Sequence, residues 1–347
     1  MDRRTFTQLL LMAGAAGCSR PKGEIALNGV GATFPYPLYS KWITEYNRLR
    51  PEIRINYQSI GSGGGVRQIV AGTVDFGATD VPMLEGEASG AAGELLHVPT
   101  AVGSVVVCYR LEGLQADLKL TPAVLARIFL GELERWNASE ITALNPGVTL
   151  PDLPITVIYR TDGSGTTAIF TQFLAQLSDS WRARIGAGKM VRWPAGMGAK
   201  GNEGVTGHLQ AMPGAIGYTE LAYATQNHLP HVAIKNHAGN FVGPAPAAAV
   251  AAAEAVPMPD ELHVWLAEAQ GAQAYPLAAY TYLLVYRDAR EPAKGEALAE
   301  FLWWAIHDGQ RYTTELDYAP LPKNVVTKVE GALRTLRANG KRVLADR

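Results

Sequence analysis

Apolar positions along this chain follow two different periods, one typical of helices and one typical of strands. Near the start, four apolar residues are spaced by four, four and three positions: Leu38, Trp42, Tyr46 and Leu49. This spacing places them on one face of a helix. Ile53, Ile55 and Tyr57 then alternate with polar residues, which predicts a strand. That strand leads into Gly61, and a second apolar helix pattern begins at Val66.

The order of a strand followed by a helix recurs later in the chain. Residues 103–109 (GSVVVCY) contain three consecutive valines, which predicts a buried strand. Residues 155–159 predict another strand, and residues 166–177 predict the helix after it. A strand over 280–286 precedes a helix over 296–306. Because strands and helices alternate throughout, the pattern predicts an α/β layer architecture.

Three short loops rich in Gly, Ser and Thr lie at the starts of apolar helices. They comprise residues 31–34, 60–65 and 160–167. A helix N-terminus has unpaired N–H groups and a partial positive charge, so such loops favour an oxyanion. Arg160 adds a permanent charge with paired donors. We expect the loops near 60 and 160 to face each other across a cleft. Taken singly, each loop is also compatible with a simple turn, and Asp162 with a helix cap.

Composition and charge are those of an ordinary globular protein and argue against a nucleic-acid partner. The chain has 347 residues, of which 48% are hydrophobic and 18% charged, enough for two medium domains with their own cores. The formal net charge of −1 argues against a nucleic-acid partner. Cys108 lies in a predicted strand and is expected to be a core residue. An Ala- and Pro-rich segment, 244–259, predicts a surface insertion with some helix.

The sequence lacks the motifs of several enzyme classes. Val66 stands where a dinucleotide fingerprint needs its third glycine, and no Lys-Ser or Lys-Thr follows either glycine loop. Ser164 lies between Asp162 and Thr166, where a nucleophile elbow needs glycines. The histidines are scattered, and no motif has metal-ligand spacing. We therefore expect no enzymatic activity, no cofactor and no metal.

The N-terminal residues 1–18 have the pattern of an export signal. Arg3 and Arg4 precede a short apolar run over 9–16, which is too short to span a bilayer. Small residues lead to Cys18, which resembles the lipidation site of a bacterial lipoprotein, although Ala15 replaces the usual leucine. We expect a periplasmic or cell-surface protein, anchored through Cys18. The export route can be the twin-arginine or the general secretory one. The alternative to lipidation is a plain secretory signal that is cleaved near Cys18.

Six segments together form a pattern that no single one carries. They are 31–35 (GATFP), 60–62 (IGS), 74–80 (VDFGATD), 162–166 (DGSGT), 213–218 (PGAIGY) and 316–322 (LDYAPLP). With these segments the chain, from Gly29 to about Leu336, resembles the periplasmic phosphate-binding proteins. Members of that family are the substrate receptors of the high-affinity bacterial phosphate ABC importer.

The resemblance implies a fold of two lobes. This is the α/β, type II periplasmic-binding-protein fold, in which each lobe is a mixed sheet flanked by helices. Two hinge crossings, near Val102 and near Ala278, would join the lobes. Lobe 1 would comprise residues 24–100 and 279–347, and lobe 2 residues 101–278. The lobes would close on phosphate by a hinge motion.

The resemblance also implies a set of phosphate-binding residues. The donors would be Thr33, Phe34 and Ser62 from lobe 1, and Arg160, Ser164, Gly165 and Thr166 from lobe 2. Asp80 would be the one acceptor among them, and Asp162 would hold Arg160. Gly63 stands where family members often have serine, so the contact of that hydroxyl is lost.

Asp80 would let the implied site choose between anions. At neutral pH phosphate keeps a proton that a buried carboxylate can accept, whereas sulfate has none. An unpaired acceptor rejects the wrong ligand on the order of 10⁴-fold. We therefore expect a monomeric receptor that binds inorganic phosphate and delivers it to a membrane permease. Receptors for arsenate, sulfate or molybdate, and a phosphate-ester hydrolase, are the alternatives.

Overall fold

Strands and helices alternate along the residues that this computed structural model describes, which are 23–84, 86–114, 118–266 and 269–344. The strands are β1 (Ile25–Gly31), β2 (Ile53–Ser59), β3 (Phe76–Thr79), β4 (Leu95–Tyr109), β5 (Lys119–Leu120), β6 (Thr156–Arg160), β7 (Met197–Ala199), β8 (Ala215–Glu220), β9 (Ala233–Lys235), β10 (Phe241–Val242), β11 (Ala278–Tyr286), β12 (Asp288–Ala289), β13 (Arg337–Ala338) and β14 (Lys341–Arg342). The helices are α1 (Tyr36–Leu49), α2 (Ser62–Val70), α3 (Pro122–Phe129), α4 (Ser139–Leu144), α5 (Gly165–Leu177), α6 (Asp179–Arg184), α7 (Gly201–Ala211), α8 (Leu221–Gln226), α9 (Pro246–Ala255), α10 (Pro292–Ile306) and α11 (Lys323–Leu333). The α/β class predicted from the alternation is confirmed.

Eight strands form one mixed sheet, in the order β2-β1-β3-β11-β4-β8-β6-β7. The long strand β4 changes partner along its length: residues 95–104 pair with β11 and residues 105–109 with β8, both antiparallel. Pairs β1–β2, β1–β3, β6–β7 and β6–β8 are parallel. We call β2-β1-β3-β11 the β1 half of the sheet and β8-β6-β7 the β6 half.

Helix α1 confirms most of the apolar pattern that predicted it. Leu38, Trp42 and Tyr46 are at most 3% exposed, and the indole N–H of Trp42 donates to the carbonyl of Gly309 at 2.7 Å. Leu49, the last residue of α1, is 56% exposed, so the buried face ends one turn earlier. Among the described residues, no helix combines the length and apolar character needed to cross a bilayer.

Strand β4 begins eight residues before the predicted strand over 103–109. Pro99 lies inside it, and proline normally argues against a central strand because it lacks an N–H donor. The register with β11 shifts here: Tyr282 faces Pro99, whereas Thr281 faces Ala101. Thr100 is therefore an extra, bulged residue, and this irregularity accommodates the proline.

The helix predicted within the segment 244–259 is confirmed, but the prediction that this helix lies on the surface was wrong. In α9, residues Ala248, Ala249, Ala252 and Ala253 are buried, and the helix lies against β4 and β11. Alanine side chains are small, so the α9 backbone can approach the sheet closely. The segment is part of the core packing.

Candidate functional site

In the β1 half, the predicted site residues follow the carboxyl ends of three neighbouring strands. Thr33 and Phe34 follow β1, Ser62 opens α2 after β2, and Asp80 follows β3. Because β1 pairs in parallel with β2 and β3, these ends meet at one edge of the sheet. All four side chains are at most 2% exposed. The glycines of 62–65, expected in a loop, form the first turn of α2 instead.

In the β6 half, the predicted residues lie where β6 passes into α5. Arg160 is the last residue of β6, and Gly165 and Thr166 open α5. Ser164 caps this helix, since its hydroxyl oxygen accepts a backbone N–H of α5 at 3.0 Å. Arg160, Ser164 and Thr166 are at most 3% exposed, and the side chain of Asp162 is 12% exposed.

Direct hydrogen bonds bring the two groups of residues together. The Gly165 N–H donates to the Ser62 hydroxyl oxygen at 3.1 Å, and the Gly63 N–H donates to the Gly163 carbonyl at 2.8 Å. These partners lie about a hundred positions apart in sequence. The structure thus places all nine predicted residues around one buried junction between the halves.

Two glycines make this close approach possible. A β-carbon on Gly165 would lie 2.5 Å from a carboxylate oxygen of Asp80 and 2.6 Å from the Ser62 hydroxyl. One on Gly63 would lie 3.2 Å from the Cα of Gly163. Without side chains at these positions, the backbone of Gly165 packs against the side chains of Asp80 and Ser62, and the backbone of Gly63 packs against that of Gly163. The sequence had suggested only that the glycines give an anion access to the backbone.

Arg160 is held from two sides inside the junction. Its Nε and Nη2 donate to the two carboxylate oxygens of Asp162 at 2.7 and 2.6 Å, and its Nη1 donates to Asn202 at 3.0 Å. Burial raises the pKa of Asp162, but the hydrogen bonds and charge of Arg160, with the Gly201 N–H, lower it below its ordinary value. The pair is therefore ionised. Four of the five guanidinium N–H groups donate to Asp162, Asn202 and Thr166, so among the described residues one Nη2 N–H remains for an anion.

Asp80 is buried, and no cation from the described residues contacts it directly. Its two oxygens accept the hydroxyl protons of Thr281 at 2.9 Å and Ser62 at 3.0 Å. Burial raises the pKa of Asp80 to about 7, although these hydrogen bonds and the charges of Arg160 and Lys189 lower it. Near neutral pH this carboxyl can therefore both accept and release a proton.

The sequence reasoning missed three residues of the junction. Asn202 contacts Arg160, and Thr281 contacts Asp80. The hydroxyl of Tyr223 donates to the Thr33 carbonyl at 2.7 Å. Only Asn202 carries a local signal, since it follows a short strand and a glycine at the start of α7.

A groove elsewhere on the surface is separate from this junction. A groove of about 650 Å³ is lined by His97, His263, Lys328 and neighbouring residues, and contains none of the predicted site residues. Within the described parts of the chain, no three His, Cys, Asp or Glu side chains are grouped so that they could hold a metal ion.

Comparisons with known proteins identify the family of this chain. Residues 18–308 match the model of the PBP superfamily domain. The phosphate-binding protein PstS of Pasteurella multocida is 42% identical over 312 residues, which cover 89% of this chain and 90% of the relative. A high affinity periplasmic phosphate-binding protein, PfluDING, solved with phosphate bound, has a TM-score of 0.71 at 23% identity, covering 88% of this chain and 93% of that one. An ABC-type phosphate transport receptor from Vibrio cholerae has a TM-score of 0.56 at 17% identity, covering 85% and 100%. The two solved structures share the fold, and the relative shows that the chain belongs to the PstS family of phosphate-binding proteins.

Proposed function

We propose that this protein binds inorganic phosphate at the junction between the two halves and delivers it to the permease of a phosphate ABC transporter. Membership of the PstS family supports this function, and a binding protein of this family is not an enzyme. The observation that carries the proposal is a buried set of N–H and hydroxyl donors around one guanidinium and one carboxyl. This arrangement suits an anion with several acceptor oxygens and one proton.

The proposed donors come from both halves. Thr33, Phe34 and Ser62 would bind from the β1 half, and Arg160, Ser164, Gly165 and Thr166 from the β6 half. Asp162 would keep Arg160 in place, and Asp80 would accept the phosphate proton. Because the Gly165 N–H and the Ser62 hydroxyl hydrogen-bond to protein groups here, they would exchange these partners for phosphate oxygens.

Lobe closure remains part of the proposal. We propose that residues 24–100 with 279–347 form one lobe and 101–278 the other, with crossings near Val102 and Ala278. In support, β4 changes partner between Ser104 and Val105, and β11 begins at Ala278. The hydrogen bond from the Gly63 N–H to the Gly163 carbonyl would then belong to the closed state.

The cellular location is also a proposal. The family's periplasmic receptors support a place outside the cytoplasm for this protein. The export signal over 1–18 and the lipidated Cys18 lie outside the described residues. We propose a monomer, either anchored to the membrane through Cys18 or released by cleavage near it.

Calorimetry with competing anions tests the ligand. The protein should be unfolded and refolded first, so that copurified phosphate is removed. We expect tight binding of phosphate, weaker or equal binding of arsenate, and no detectable binding of sulfate or molybdate at pH 8. Arsenate is protonated like phosphate, so Asp80 does not exclude it. Tighter binding of sulfate than of phosphate would contradict the proposed function.

A further inference from the structure

Asn202 is a buried amide that hydrogen-bonds three of the proposed phosphate-binding residues. It is the second residue of α7, and it is 0% exposed. Its Oδ1 accepts from Arg160 Nη1 at 3.0 Å, and its Nδ2 donates to the Thr166 hydroxyl oxygen at 3.3 Å. Its backbone N–H donates to the Thr33 hydroxyl oxygen at 3.3 Å. The side chain must accept and donate at once, which an amide can do and a carboxylate cannot.

The contacts at Thr166 fix the direction of its hydroxyl proton. A hydroxyl has one proton and two lone pairs. The Thr166 oxygen receives an N–H of Asn202 at 3.3 Å and an N–H of Arg160 at 3.4 Å. With both lone pairs engaged by donors, the hydroxyl can only give its own proton to another acceptor. Thr166 is therefore prepared as a donor to an anion.

Hydrogen bonds also orient Thr33, which lies in the opposite half. Its hydroxyl oxygen accepts the backbone N–H of Asn202, so one lone pair is engaged and the proton remains to be donated. Its carbonyl accepts the hydroxyl of Tyr223 at 2.7 Å. This carbonyl belongs to the same peptide group as the Phe34 N–H, so Tyr223 fixes the direction in which that N–H points.

We propose that Asn202 is a positioning residue for phosphate binding, which directs the hydroxyl protons of Thr33 and Thr166 toward the anion from opposite halves. It also holds Arg160 without adding a negative charge. Neutrality matters because Asp162 already pairs with Arg160, and a second carboxylate would oppose an anion. The inference rests on the proposed function, since it concerns the donors of the same site.

The first test replaces the amide by a carboxylate of the same shape. In Asn202→Asp the side chain can only accept, so it would take the Thr166 proton away from the anion and add a charge. We expect phosphate affinity at pH 8 to fall about 100-fold or more, as for loss of a hydrogen bond to a charged group together with repulsion. The matched control is Asn324→Asp, the same change at the exposed second residue of α11, which should alter affinity less than about 2-fold. Equal affinities of the two variants would overturn the proposal.

The second test separates positioning from a general structural role. Thr166→Val removes the hydroxyl at nearly constant shape, and calorimetry measures its cost in the parent and in Asn202→Ala. If Asn202 orients this hydroxyl, the cost is about tenfold or more in the parent and less than about threefold in Asn202→Ala, a coupling that contacting residues show. A loss of fold would lower affinity without making the two costs differ in this way. Where thermal unfolding shows that Asn202→Ala is not folded, the isosteric Asn202→Asp provides the second background.

The outcomes distinguish the two proposals. A parent protein that does not bind phosphate would overturn the proposed function. A parent that binds, with the same Thr166→Val cost in both backgrounds, would overturn the role of Asn202 alone. Unequal costs of the expected sign support both.

Discussion

The two halves of the sheet each bury one aspartate at the junction, and the pKa values of the two carboxyls move in opposite directions. Burial raises the pKa of Asp80 to about 7, since the hydrogen bonds from two neutral hydroxyls lower it by less than burial raises it. Asp162 is desolvated too, yet the hydrogen bonds and charge of Arg160 bring its pKa below the ordinary value. A directly bonded guanidinium, rather than burial, therefore decides the charge of a carboxyl here.

In the proposed site, this difference would give the two halves different roles in binding an anion. The β6 half presents an ionised pair whose guanidinium has one N–H left, so in the proposed site it would attract an oxyanion without a large excess of charge. The β1 half presents a carboxyl whose proton is exchangeable near neutral pH. In the proposed site this carboxyl would favour an anion that carries a proton over one that does not. Attraction and selection should then respond to different substitutions.

Removing Arg160 should have the largest effect on phosphate affinity. In Arg160→Ala the proposed site loses its guanidinium, and Asp162 loses its charged partner while the Gly201 N–H still donates to it. We expect phosphate affinity to fall on the order of 10³-fold, as when one partner of a buried charge pair is truncated. Calorimetry measures the loss, and the exposed Lys323→Ala is the control for a change of one positive charge. A loss smaller than about tenfold, or 1.4 kcal/mol, would show that Arg160 does not contact the anion.

Asp80→Asn should change selectivity more than affinity. The amide can donate to a fully deprotonated oxygen, so the repulsion that excludes sulfate disappears. We expect the preference for phosphate over sulfate to fall on the order of 10²-fold at pH 8, a large part of what an unpaired acceptor contributes. Competition calorimetry with both anions measures this ratio. An unchanged preference would remove Asp80 from the selective role and leave the division between the halves without support.

The pH dependence of stability sharpens the same comparison. Folded Asp80 keeps its proton up to about pH 7, whereas unfolded aspartate releases it near 3.8. The folded state then binds more protons than the unfolded state between these values. The contribution of Asp80 to the free energy of unfolding is therefore complete below pH 3.8 and is lost as the pH rises to about 7. Asp162 acts oppositely, since its contribution is lost only as the pH falls through its lowered pKa.

Urea unfolding of the phosphate-free protein measures this effect. Between pH 4 and 7, the parent should lose up to about 1.4 kcal/mol of unfolding free energy per pH unit more than Asp80→Asn does. The difference between the two slopes isolates Asp80 from every other titrating group. Parallel slopes would mean that the folded Asp80 carboxyl titrates near its ordinary pKa.

Local sequence patterns identified some residues of the site but not the residues that hydrogen-bond to them. Ser62 and Arg160 could be found because each lies where a strand, a glycine loop and an apolar helix follow in order. Asn202 follows a strand and Gly201 in the same order, but its loop lacks the Ser and Thr residues that marked the others. Thr281 lies 201 positions from Asp80, in the middle of β11, and no local feature distinguishes it from other strand residues.

The fold shows the same limit. Alternation of strands and helices was enough to predict an α/β sheet, because each element leaves a periodic pattern of its own. The full length of β4 was hidden because Pro99 interrupts that pattern, and only pairing with β11 explains how the strand continues. Partnerships between distant segments, such as the change of partner along β4, are set by tertiary packing and leave no period in the sequence.

Removing the ion pair between Lys189 and Glu87 should have the smallest effect on phosphate binding. Lys189 Nζ lies 2.7 and 2.8 Å from the two carboxylate oxygens of Glu87, and the two side chains are 11% and 27% exposed. Lys189→Met keeps the apolar stem and the backbone carbonyl that accepts the Ser164 N–H, but removes the charge. We expect phosphate to dissociate about threefold faster with little change in association, as for a partly exposed ion pair.

An exchange experiment with radioactive phosphate measures the dissociation rate of the Lys189→Met protein. The control is Lys328→Met, which removes the charge from a pair with Asp260 whose side chains are 39% and 94% exposed. Equal dissociation rates for the two variants would show that the Glu87 bridge does not hold the halves together. A faster rate for Lys189→Met alone would have a second consequence, because Lys189 also lowers the pKa of Asp80. The same variant should then bind sulfate somewhat better as the pH falls toward 7, which would link closure of the two halves to the choice between anions.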